Sequence, residues 1–140
     1  MEPKMDRPQT VTWLLVIVLT FTGGRLLSGL SALQHWSRLN QLPLSISPLY
    51  IVLSGFAWAV VGVRLAWALA QRRAGALGML RAASFAFALF YWLERGLLQV
   101  NESSAVNQRF ALALMIALLT TIYWLARNPA TLAFFGDHHE

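Results

Sequence analysis

Four apolar stretches, at about 11–33, 48–70, 77–100 and 108–127, take up most of the 140 residues of this chain. Each is near or above the ~20 residues that a helix needs to cross the hydrocarbon core of a bilayer. Hydrophobic residues make up 57% of the sequence and charged residues 12%, where soluble domains carry roughly 25% charged residues. A soluble helical domain does not fit, because four near-continuous apolar runs leave too little polar surface to face water. The expected fold is all-α: an integral membrane four-helix bundle forming a single domain.

Lys4 and Arg7 precede the apolar run from Val11 to Phe21, as in a signal peptide. No small-residue cleavage site follows, and three further apolar runs do, so residues 11–33 read as a retained first span. There are no cysteines, which excludes disulfides, thiolate metal sites and cysteine nucleophiles.

The basic residues give an orientation. Lys4, Arg7, Arg72, Arg73 and Arg127 fall on one side and Arg38 and Arg109 on the other, five against two. The positive-inside rule then places both termini and the 71–76 turn in the cytoplasm, with up-down topology and residues 128–140 as a cytoplasmic tail. The net charge of +5 is explained by arginines at helix ends that meet anionic lipid headgroups, and nucleic acid is not an expected partner. Arg64, Arg72, Arg73, Arg81 and Arg127 are the headgroup anchors, with Arg64 and Arg81 snorkelling from inside their spans. Trp13, Trp67, Tyr123 and Trp124 fall near the inner face, and Trp36 and Tyr50 near the outer one, the depths that amphipathic rings prefer.

Pro43 and Pro48 discourage helix in the first loop, and Pro48 suits a helix start. Asn128-Pro129 ends the last span. The following segment, with Phe134 and Phe135, is too short to cross and is expected in the interface. A faint two-fold similarity pairs Gly24-Arg25-Leu26-Leu27 with Arg95-Gly96-Leu97-Leu98, which a duplicated hairpin would produce and membrane composition produces more readily.

Lipid gives helices no hydrophobic reason to associate, so close packing relies on small residues. Gly55, Ala59, Gly62, Ala66 and Ala70 fall on one face of the second span and form a packing seam. In the first span, Thr22, Arg25, Ser28, Gly29 and Ala32 share a stripe. In the third, Glu94 shares its face with Leu80, Ala83, Phe87, Phe90 and Leu98.

Arg25 and Glu94 are the candidate intramembrane site. At ~1.5 Å per residue, Arg25 lies about 21 Å above the start of its span and Glu94 about 25 Å above the start of its own. The two are nearly level, and an unpaired charge at that depth is costly. Glu94 is therefore expected to pair with Arg25, while Arg95 reaches the outer headgroups or a nearby helix. The bland account is a static ion pair that fixes helix register. The functional alternative is a site for an anion or polar headgroup held by Arg25 and Arg95.

No nucleophile–base pair, phosphate loop or metal-ligand spacing is present, so no catalytic residue, metal or cofactor is expected. His138-His139 reads as a solvated chain end and His35 as an interfacial residue beside Trp36.

Length and span number resemble those of the small multidrug transporters. That family has an essential glutamate in its first span. Here the first span has no acidic residue and the embedded glutamate is Glu94, so the resemblance implies topology alone. The segment Tyr91-Trp92-Leu93-Glu94-Arg95, with Arg127-Asn128-Pro129 and Phe134-Phe135-Gly136, resembles uncharacterised small four-span bacterial membrane proteins. That likeness implies a bacterial cytoplasmic membrane and no particular activity. The favoured function is a non-catalytic accessory or scaffold protein, packing through the second-span seam against itself or a larger membrane complex. The alternatives are a small oligomeric transporter or channel using Arg25 and Glu94, and, ranked last, a lipid-modifying enzyme.

Overall fold

An apolar segment in hydrocarbon must satisfy its own backbone polar groups, and a helix does so within the segment. The computed structural model describes residues 7–41, 47–73, 75–98 and 105–136. Among the described residues the chain is all-helical: α1 (Gln9–Gln34), α2 (Trp36–Leu39), α3 (Pro48–Ala70), α4 (Ala76–Leu98), α5 (Ala105–Arg127) and α6 (Pro129–Gly136). Helices α1, α3, α4 and α5 are long and apolar enough to cross a membrane.

Local chemistry sets the helix ends. Pro48 occupies the first turn of α3 after an extended Ser47, a position where its missing N–H costs nothing. At the other end the Arg73 N–H donates to the Ala68 carbonyl at 3.1 Å and the Arg72 N–H to Leu69 at 3.4 Å. This two-bond ending is usually built on glycine. Here Arg72 adopts the left-handed conformation, φ 54°, at a cost of roughly 1–2 kcal/mol. Helix α1 stops where the His35 ring N–H donates to the Ser31 carbonyl at 2.9 Å, and the short α2 follows inside the first loop.

The seam on α3 is spent within the chain, against α1. A methyl group on Gly55 would stand 2.9 Å from the Arg25 carbonyl oxygen and 3.0 Å from the Gly29 Cα, and one on Gly62 would run into the Thr22 side chain. Gly29 and Thr22 are seven residues apart, as are Gly55 and Gly62, so α1 and α3 run antiparallel in register. Gly55, Ala59 and Ala66 are buried and Gly62 half-buried, but Ala70 is exposed and lies outside the seam. The face turns away before Ala70, at the start of the helix ending.

The apolar core gathers at the end of the bundle where α1 begins. It joins Val11, Leu14, Leu15 and Val18 to Leu65 and Leu69, to Ala76 and Leu80, and to Ile122, Leu125 and Ala126. Helix α6 joins it through Phe134, with Phe135 packed against it. Asn128 accepts the Ala130 N–H at 3.0 Å to open α6. Thr131 is fully buried and Phe134 is buried. The Thr131 hydroxyl donates to the Thr10 hydroxyl at 2.8 Å, and the Arg72 guanidinium stands 4.0 Å from the Phe134 ring centre.

Candidate functional site

At the other end the helices are joined by aromatic rings and the intramembrane charges. Helix α1 supplies Phe21 and Arg25, α3 supplies Tyr50 and Trp58, and α4 supplies Phe87, Phe90 and Glu94. Phe87 is the hub. Its ring meets Phe21 edge-on with centres 5.4 Å apart and Trp58 edge-on at 5.1 Å. Phe90 lies 5.5 Å from Trp58 and stacks on Tyr50 at 6.5 Å. Edge-to-face and offset pairs at these separations add about 0.5–1.5 kcal/mol each beyond the area they bury.

Arg25 lies half-buried over this cluster. Its guanidinium carbon is 4.9 Å from the Phe87 ring centre and 6.0 Å from that of Phe90. The negative faces of the two rings hold a cation there, a contact worth more where water is scarce. Among the described residues no ion pair joins Arg25 directly to Glu94. The two charges both act on Tyr50, whose hydroxyl lies near the Glu94 carboxyl and the Arg25 guanidinium. Tyr50 therefore does more than mark the outer interface. Its place follows from Pro48: two residues into α3, it stands at the level that Glu94 reaches near the far end of α4.

Arg95 turns elsewhere. Its guanidinium donates to the Tyr91 hydroxyl at 2.8 Å, one turn back on the same helix. It thus binds within α4 and does not flank Glu94 with Arg25. Tyr91 in turn meets Trp92 edge-on at 5.7 Å.

Below Arg25 the four spans leave a cleft of about 80 Å³, bordered by Val18, Thr22, Leu65, Phe87, Leu118 and Ile122. Its walls are apolar apart from Thr22, Ser84 and Arg25. The Thr22 hydroxyl is turned back to the Val18 carbonyl at 2.7 Å. A cleft of this size and polarity stays dry or takes a small apolar group.

The remaining arginines divide by environment. Arg64 is exposed on α3, on the side away from the seam. Arg73 donates to the Gln71 side chain at 3.0 Å. Arg72 covers Phe134, while Arg81 and Arg127 lie by the Tyr123 ring. Among the described residues no group of three metal-ligating side chains occurs. His138 and His139 lie outside the described residues.

Comparison with known proteins finds no matching family, no matching curated protein and no matching solved structure.

Proposed function

We propose that this chain is a non-catalytic accessory or scaffold protein, with its four spans running up and down and both termini in the cytoplasm of a bacterial cell. It acts by packing, as part of a larger membrane complex or an assembly of its own copies. The observation that supports this reading is the engagement of Arg25, Glu94 and Arg95 within the chain. Arg25 lies on Phe87 and Phe90, Glu94 meets Tyr50, and Arg95 binds Tyr91. Charges satisfied in this way act as a latch that fixes how α1, α3 and α4 meet.

The small-residue seam is used up between α1 and α3, so the packing surface is a different one. Helix α4 carries a ridge of Phe85, Leu89 and Leu93, spaced four residues apart and more than half exposed. A photo-crosslinking side chain placed at Leu89 in native membranes tests the idea. A discrete protein adduct of fixed mass is expected; adducts to lipid alone would count against it.

A second reading is a small oligomeric transporter, favoured by Arg25 lining the cleft and by Glu94 acting with it on Tyr50. It requires flux in liposomes that falls when Arg25→Ala or Glu94→Gln is made while the fold survives.

A further inference from the structure

Glu94 is the one acidic residue among those described, and it lies at the end of the bundle away from the apolar core. The core end is basic, and two of its arginines reach the same aromatic ring from different helices. The guanidinium carbon of Arg81, in the second turn of α4, is 5.7 Å from the centre of the Tyr123 ring. That of Arg127, the last residue of α5, is 4.5 Å from the same centre. All three side chains are exposed. Two cations beside one ring repel each other, and the negative ring face offsets only part of that repulsion.

The depth of the trio narrows what completes it. Trp13, Trp67 and Trp124 are all more than half exposed at this end of the bundle, the arrangement of an interfacial aromatic belt. An anion arriving at that level, from the side that faces lipid, is a lipid headgroup. Guanidinium forks match phosphate oxygens two at a time, and basic pockets between spans are a recurrent way of holding anionic headgroups. Ile116 lies about two turns deeper on α5, on the Tyr123 side of the helix, and is 55% exposed. An acyl chain hanging from the headgroup would run along it.

We infer that Arg81, Tyr123 and Arg127 form a binding site for the phosphate of an anionic phospholipid. Such a site selects one headgroup and seats it between α4 and α5, which general anchoring by scattered arginines does not do.

Native mass spectrometry of the full chain in neutral detergent tests this, with phosphatidylglycerol or phosphatidylcholine added. The chain is expected to retain phosphatidylglycerol selectively. Arg81→Gln and Arg127→Gln should each lower that retention roughly fivefold. Arg38→Gln, in α2 at the opposite end of the bundle, should leave it unchanged. Circular dichroism checks the fold, and Arg81→Lys, which keeps the charge and loses the fork, should fall between wild type and Arg81→Gln. Equal retention of the two lipids, or undiminished retention by a folded Arg81→Gln or Arg127→Gln variant, would overturn the proposal. A thermal-shift arm with inorganic phosphate separates the sources. Stabilisation by phosphate ion without any preference for phosphatidylglycerol would overturn the lipid assignment.

Discussion

Gly55 of α3 lies so close to Gly29 of α1 that a methyl group on it would stand 3.0 Å from the Gly29 Cα. The neighbouring atoms are backbone and cannot rotate away. Alanine normally favours a helix over glycine by ~1 kcal/mol, but here overpacking outweighs that gain, with a net loss of about 1–2 kcal/mol for Gly55→Ala. Gly78, with nothing within 4 Å of an added methyl, is the control, and Gly78→Ala should be neutral or stabilising. Steric trapping of unfolding in bicelles measures both.

Tyr50 and Glu94 should be energetically coupled. The Tyr50 hydroxyl lies near the Glu94 carboxyl, and polar neighbours of this kind interact by about 0.5–3 kcal/mol. A double-mutant cycle of Tyr50→Phe and Glu94→Gln is expected to give a coupling of about 1 kcal/mol. Additive effects would mean that Tyr50 does not hold the acid.

Arg25 should resist replacement by other basic residues, because a planar guanidinium stacks on rings as an ammonium does not. Arg25→Lys is expected to cost about 1 kcal/mol in wild type and little in a Phe87→Leu background. The same unfolding assay reads the difference.

The Thr131–Thr10 hydrogen bond ties α6 to α1. Thr131→Val keeps the shape, leaves Thr10 without that partner, and should cost about 1 kcal/mol. Limited proteolysis of inside-out vesicles should cut the variant near residues 129–136 faster than wild type.

Much of this architecture is legible in the sequence because lipid imposes length and composition on a span. The bounds of α3 coincide with the predicted 48–70, where Pro48 marks the start and the Gln71-Arg72-Arg73 turn marks the stop. Counting residues places Arg25 and Glu94 at one level without any structure. The identity of their partners is not legible, since Tyr50, Phe87 and Phe90 reach them only once α1, α3 and α4 are arranged. The height of Tyr50 beside Pro48 was the available signal. The small residues of α3 are visible as a seam, but their spacing does not say whether the partner helix belongs to the same chain. Nor does the short, apolar 129–136 segment announce that Thr131 and Phe134 are buried.

The most direct test of a packing role is the mass of the assembly that carries this chain. It should be measured by native mass spectrometry after gentle extraction from the native membrane, for wild type and for Glu94→Gln. A defined complex, with other proteins or of its own copies, unchanged in composition in the variant and without flux of its own, is the predicted result. A free monomer, or a homo-oligomer whose ion or solute flux disappears with Glu94→Gln, would contradict it.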